Sequence, residues 1–410
     1  MKALKKNYAI LILSVIILAR FCSIEFLTIG LVAVIIICSV YNNAKIRKNL
    51  FPGKIWYLSL LILGILIGIC NYFFEDYTIK NIIKDIVYCS MPLLYWMVGE
   101  NIVGVKKNTD ELDIYKILFV IGTGFAVYDL SHSILTILKS GIGDGSIYGL
   151  RVLIGTGDGL AVITLFIGIY FIKEIKMQKW IKNTSMCILI ADILIHFSRT
   201  NLMMMAIFVV YSGVMKNPKK LAKYFGILVI CIILISLIFP SMIGNFVNKI
   251  LGSFTEVSFG TDSWDFVAVN NNWRGYEAYC EIEQFKGNSI VEKLFGGGFG
   301  TQLDVHGYAY LVSTEDTLPF LHNGYFTILM KWGIWGIVVY IWMLIELYRK
   351  GNGLRGQERR YWKAIIVIIA LETSIVHGVM FNTSIAIFMF FLSIIYYLNQ
   401  SKFSREESYT

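Results

Sequence analysis

Long apolar runs, each closed by a short basic or polar patch, recur along most of the chain. They fall near 7–22, 24–41, 55–74, 82–104, 117–138, 158–173, 182–198, 201–215, 222–240, 323–346, 364–380 and 383–399. A bilayer core of roughly 30 Å takes about 20 such residues as a helix. The pattern therefore predicts an all-α polytopic membrane protein of about twelve transmembrane helices. The pairs within 7–41 and 182–215 are short, so ten to twelve crossings fit. The rhythm fails twice. Residues 139–157 are rich in glycine, and 241–322 form a polar stretch far longer than any other interruption. Three parts follow: 1–240 with helices one to nine, the long loop 241–322, and 323–410 with helices ten to twelve and a tail. Within the loop, 272–294 has helical character until Phe295-Gly-Gly-Gly-Phe-Gly300 breaks it.

Composition agrees with lipid as the solvent. The chain is 56% hydrophobic and 16% charged, whereas soluble domains average about 45–50% and about 25%. A net charge of +9 would suggest nucleic acid in a soluble protein, but the basic residues are not pooled. Lys2/Lys5/Lys6, Lys45–Lys54, Lys106–Lys116, Lys173–Lys182, Lys216–Lys223, Arg349–Lys363 and Lys402/Arg405 occupy alternate interruptions. By the positive-inside rule these face the cytoplasm, so both termini lie there and the long loop lies outside. Such blocks attract anionic lipid, and no nucleic-acid partner is expected. The basic then apolar N-terminus, with no small-residue cleavage site, reads as a signal anchor that becomes the first helix. The seven cysteines lack CxxC spacing, and only Cys280 lies in the long loop, which therefore holds no internal disulfide.

Ionisable groups at membrane depth are costly and count as functional candidates. Arg20, Asp129, His132, Arg151, Arg199, Arg274, His322, Glu372 and His377 form that set. Arg199 lies in Ser198-Arg-Thr-Asn201 between two short runs, Arg151 follows the glycine-rich loop, and Arg274 sits among Asn270–Asn272, Trp273 and Tyr276. A guanidinium offers a planar fork of donors suited to phosphate; an interfacial Arg reaching for headgroups is the plainer use. His322 ends the loop in Leu321-His-Asn-Gly-Tyr325, and an imidazole there can take a proton from a hydroxyl, although a loop-end His is more often a simple hydrogen-bonding residue. The Gly296–Gly300 run reads either as a tight turn or as a row of N–H donors for phosphate. The chain has no GxxxxGK[ST], no HExxH and no GxSxG, which excludes a P-loop motor, a zincin and an α/β-hydrolase. No metal site and no cofactor are expected.

These motifs, in this order around one outer loop, resemble the O-antigen polymerase and O-antigen ligase superfamily of bacterial membrane glycosyltransferases. The resemblance rests on Ser198-Arg199-Thr200, on Arg274 with Tyr276-Glu-Ala278 and then Leu294-Phe-Gly-Gly-Gly-Phe-Gly300, and on His322-Asn-Gly-Tyr325 before Lys331-Trp-Gly-Ile-Trp-Gly336. Arg151-Val-Leu-Ile-Gly155 is a fourth, looser part. Glu292-Lys293 stands where Asn-Pro commonly precedes the glycine turn in that family. The resemblance implies a GT-C-like fold in the bacterial inner membrane. It implies an extracytoplasmic site that polymerises undecaprenyl-diphosphate-linked oligosaccharide units, as donor and acceptor, into O-antigen, capsule or exopolysaccharide. Arg199, Arg274 and Arg151 would hold the diphosphate and His322 would be the base. Trp273, Tyr276 and Tyr325, with Trp264, Tyr279, Tyr308 and Tyr310, would offer rings to sugars, core packing being the commoner use of such rings. A chain-length regulator is a further implied partner. Transfer of a finished glycan to another acceptor uses the same residues. A lipid-linked oligosaccharide flippase would instead show paired repeats and midplane polar sites, and no repeat is evident in the chain.

Overall fold

The computed structural model describes residues 2–41, 51–74, 77–104, 112–140, 159–196, 198–213, 264–312 and 315–406; Gly149, 153–155, Gly157, Gly226, Val229 and Ile233 are also described. The span expected near 222–240, the candidate Arg151 and loop residues 241–263 lie outside this set, apart from those three isolated positions. Helices run Lys2–Phe21 (α1), Ile24–Tyr41 (α2), Lys54–Phe74 (α3), Ile79–Gly104 (α4), Leu112–Ser140 (α5), Leu160–Tyr170 (α6), Lys179–Ile195 (α7) and Arg199–Ser212 (α8). After the gap come Phe266–Asn271 (α9), Trp273–Gly287 (α10), Ile290–Phe295 (α11), Gly324–Lys350 (α12), Gly356–Ile375 (α13), Gly378–Phe381 (α14) and Thr383–Glu406 (α15). Two short strands, Leu303–Asp304 (β1) and Thr317–Leu318 (β2), pair antiparallel within the loop.

Five stretches among the described residues are long and apolar enough to cross a bilayer: Lys54–Phe74, Ile79–Gly104, Ile114–Ser140, Gly324–Gly353 and Thr383–Gln400. Ala9–Phe21, Ile24–Val40 and Leu160–Tyr170 are apolar but shorter. At about 1.5 Å per residue, the 11 residues of α6 and the 14 of α8 fall short of a full crossing. The chain is thus a polytopic, mostly helical membrane protein.

Its helices gather into two compact units. The first is built from Met1–Leu13, Asn108–Phe254 and Arg355–Ala364. Small residues let its helices approach: a Cβ on Gly168 would lie 2.5 Å from the Phe119 ring. Phe166 stacks on Phe208 at 4.6 Å, and the Tyr170 and Tyr361 hydroxyls donate to the Phe208 and Ile163 carbonyls. In lipid, such close backbone packing and interhelical hydrogen bonds replace the hydrophobic drive between helices.

The second unit comprises Ser14–Lys107, Thr255–Leu354 and Ile365–Thr410. Here α4 packs along α15, with Gly99 against Phe390 and Ser393 and the Ser393 hydroxyl donating to the Trp96 carbonyl at 2.7 Å. Helix α12 packs on α3, where the Trp332 indole donates to the Leu60 carbonyl at 2.7 Å. Above these helices the loop has a core of its own. Val269, Tyr276, Cys280, Leu303, Val305, Ala309, Leu318, Leu321 and Met330 are buried together, flanked by Trp264, Trp273, Tyr279 and Tyr308.

Candidate active site

Helix α10 carries the centre of the site. Asn272 caps it by accepting from the Gly275 N–H at 3.1 Å, the ordinary use of Asn at this position. One turn separates Trp273 from Glu277, and the indole N–H donates to Glu277 Oε1 at 2.6 Å. Glu277 is buried, and a buried carboxylate requires partners. Its others come from His322. The backbone N–H of His322 donates to Oε2 at 3.0 Å, and Nδ1 lies 2.9 and 3.0 Å from the two oxygens. A carboxylate only accepts, so Nδ1 carries the proton and, in the neutral ring, Nε2 is the nitrogen with the lone pair. The His322 side chain is 33% exposed.

The residues after His322 each have a mechanical task. Asn323 caps α12 by accepting from the Tyr325 N–H at 3.0 Å. Gly324 permits close contact, since a Cβ there would lie 2.6 Å from the His377 carbonyl oxygen. That contact places a second imidazole beside the first, ring centroids 5.3 Å apart. His377 sits in the break between α13 and α14, and its Nδ1 donates to the Leu321 carbonyl at 2.6 Å. Arg274, Glu277 and His322 all lie within electrostatic reach of His377. The structure therefore brings Arg274 and His322 into one neighbourhood. It adds Glu277 and His377 to them.

The other expected residues are distributed differently. Arg199 is the first residue of α8 in the first unit, behind the Ser198 cap, which accepts from the Asn201 N–H. Near it His196 lies 3.5 Å from Asp192 and 3.3 Å from the Gly155 carbonyl, with Gly157 packed on its ring. Tyr276, expected among the sugar contacts, is instead buried in the loop core with its hydroxyl on the Val305 carbonyl at 3.1 Å. Trp273 is half-buried on Glu277. Tyr325 is half-buried too and donates to the Ala370 carbonyl at 3.2 Å. Tyr310 remains exposed.

The glycine run is a tight turn, not a row of free donors. The N–H groups of Gly296, Gly297, Gly298, Phe299 and Gly300 go to Glu292 O, Met330 O, Lys331 O, Gly64 O and Asp85 Oδ2. No N–H from 296 to 300 is left for a phosphate. Asp85 also takes Lys331 Nζ at 2.6 Å, both side chains being fully buried, and Lys331 donates on to the Thr301 carbonyl at 3.1 Å.

Further along α10, Glu281 is buried, and its Oε2 has no hydrogen-bond partner among the described residues. Burial pushes its carboxyl up from 4.5 to about 8, against a smaller opposite pull from Lys331. Burial likewise pushes the Cys280 thiol up to about 11, which makes it a poor nucleophile at neutral pH. Among the described residues, no group of three or more His, Cys, Asp or Glu is arranged to hold a metal ion.

Glu277 stands within Tyr276-Glu-Ala278 and His377 among the ionisable candidates, but the sequence assigns neither a role. Glu277 had one available signal: a carboxylate four residues after Trp273 on a predicted helix, facing the same way. His377 had only its depth in an apolar run.

A family model described as O-Antigen ligase matches residues 184–341 of the chain. That stretch runs from within α7 into α12 and includes Arg199, Arg274, Glu277, the glycine turn and His322. No curated protein matches.

Proposed function

We propose that this polytopic membrane protein, similar over residues 184–341 to the O-antigen ligase family, is a membrane glycosyltransferase. It polymerises undecaprenyl-diphosphate-linked oligosaccharide units on the extracytoplasmic face of the bacterial inner membrane. The observation that carries this reading is the Glu277–His322 pair at 2.9 Å, beside Arg274. His322 Nε2 accepts the proton of a sugar hydroxyl on the acceptor. The freed oxygen forms a bond to the anomeric carbon of the donor, and the bond from that carbon to the diphosphate oxygen breaks. Undecaprenyl diphosphate leaves with the electron pair. Glu277 holds the ring in the tautomer that leaves Nε2 open and stabilises the imidazolium once the proton arrives, the part a buried carboxylate plays in hydrolytic triads. Arg274 answers the charge that grows on the diphosphate. The reaction draws on the bond between the donor's anomeric carbon and its diphosphate, and calls on no nucleotide, metal or cofactor.

The matched family's description, O-Antigen ligase, is equally compatible with a second reading, transfer of a finished glycan to another acceptor. The same base and the same cations serve it, since only the acceptor hydroxyl differs. A strain lacking this chain separates the two. Loss of long chains with single units still attached supports the polymerase; loss of all attached glycan overturns it for the ligase. A flippase is tested apart from both, because purified protein given lipid-linked units on the accessible face would leave them unextended.

A further inference from the structure

The loop contains one element whose surroundings are not those of a loop. The glycine turn runs beside the middle of α3, from Gly64 to Gly68, and Gly300 then meets Tyr77 and Ile82 near the start of α4. Phe299 N–H donates to the Gly64 carbonyl at 2.8 Å, and Gly64 stands ten residues from either end of the 21-residue α3. That is about 15 Å from each end at 1.5 Å per residue. The backbones of Gly298 and Gly68 nearly touch, and Asn71 donates to the Gly297 carbonyl at 2.9 Å. The Leu294 carbonyl abuts Gly333, whose non-helical backbone (φ +61, ψ −159) breaks α12 between residues 324–332 and 334–350. Gly296 meets the Lys331–Trp332 peptide, seven residues into α12 and so about 10 Å below its start.

Irregular backbone at that depth survives only where protein satisfies every polar group. The five consecutive N–H groups of 296–300 meet that demand, the last through the Asp85 carboxylate. Helix α11 shows the complementary pattern outside. Ile290 is 77% exposed, Val291 67%, Leu294 43% and Phe295 39%, at positions i, i+1, i+4 and i+5 of one helix face. The polar end is turned back on itself in a capping box: Glu292 accepts from the Ser289 N–H at 2.7 Å, and the Ser289 hydroxyl accepts from the Glu292 N–H. An apolar stripe of this kind in water would be a liability.

We propose that Ile290–Gly300 is a re-entrant element. It dips into the leaflet from which α12 starts and lays the Ile290, Val291, Leu294 and Phe295 face against lipid acyl chains. His322, one residue before the Asn323 cap, then stands on the headgroup side of the glycine turn. That consequence rests on the proposed glycosyl transfer and suits a substrate whose diphosphate is tethered by a lipid tail.

The test uses full-length protein in proteoliposomes, with the exposed Cys70 and Cys187 replaced by Ser. A nitroxide is attached at Val291→Cys, and separately at Ile290→Cys so that loss of one variant does not end the experiment. Labels at Ile62 on α3 and at Tyr310 in the loop, both exposed, are the lipid and aqueous references. Collisions with dissolved oxygen and with a water-soluble nickel chelate are compared. The proposal expects the ratio at 290 and 291 to shift toward oxygen, as at Ile62; a ratio equal to that at Tyr310 overturns it. Chain extension by the same labelled protein is a separate readout. Activity with aqueous labels removes the re-entrant element alone, and lipid-facing labels without activity leave it standing while the enzymatic reading fails.

Discussion

Asp85 meets Lys331 at 2.6 Å, and Glu277 meets His322 at 2.9 Å, both within the second unit. Each pair sets a carboxylate against a nitrogen base, and each carboxylate also accepts a backbone N–H, from Gly300 and from His322. They differ in what is left over. Lys331 is wholly buried and turns its ammonium to Asp85, the Thr301 carbonyl and the face of the Phe320 ring, so it is shut off from substrate. His322 is partly exposed and spends one nitrogen on Glu277, which leaves Nε2. The first pair fastens the glycine turn to α4 and α12; the second holds a base in position. A buried pair is weak evidence of net stabilisation, yet removing one partner is costly. Reactivity depends on an exposed remainder.

The largest separation between the two pairs is expected from His322→Ala. Chain extension should fall by about 10²–10⁴-fold, the usual worth of a positioned base, while the unfolding temperature in detergent stays near that of the parent. A variant that still makes long chains at the parental rate would remove the base from the mechanism. Glu277→Gln comes next. An amide can donate to Nδ1 and so favour the wrong tautomer, a change that costs up to about 10⁴-fold in a serine-protease triad. Extension should fall toward the His322→Ala level, with binding of lipid-linked substrate retained. Activity within a factor of about two, too small a change for lost base catalysis, would mean that Glu277 only packs.

These residues were unequally legible in the sequence. His322, Asn323 and Gly324 stand together, so one local motif displays base, cap and close contact at once. Arg274 and Glu277 share a helix with recognisable period. The helical layout shows because an apolar run of bilayer length has few other uses. Asp85 and Lys331 stayed hidden because they lie 246 positions apart and each looks, in its own helix, like an ordinary charged residue near a polar end. His377 approaches His322 only through a break between α13 and α14 that hydropathy reads as one continuous span. The glycine run was open to two readings because glycine serves both a tight turn and an anion nest. The choice between them was made by Gly64, Met330 and Asp85, whose carbonyls and carboxylate take the N–H groups.

Lys331→Ala tests the structural pair. It strands Asp85 as a buried carboxylate, at a cost of about 3–5 kcal/mol. Purified protein should unfold at a clearly lower temperature and show reduced folded yield, with activity per folded molecule close to parental. Pairing the change with Asp85→Leu should recover part of the loss, because no buried charge then remains. If the single variant unfolds normally but cannot extend chains, Lys331 belongs with the site and the contrast between the two pairs fails.

An effect seen only in the pH dependence of stability is expected at Glu281, which belongs to neither pair although it lies one turn beyond Glu277 on α10. Its folded carboxyl is held up at about 8 by burial, against 4.5 when solvated. Between those values the folded chain keeps a proton that the unfolded chain has lost, so stability falls as pH rises through this window. The slope is at most about 1.4 kcal/mol per pH unit, and it vanishes below 4.5 and above about 8. Glu281→Gln keeps the shape and never ionises, so it should match the parent near pH 5 and gain stability over it progressively up to about pH 8. Unfolding temperatures of the two proteins measured across that range give the difference directly. A constant offset would mean that Glu281 is ionised throughout in the folded protein and that its Oε2 has found a partner, which would make it a third member of the paired carboxylates.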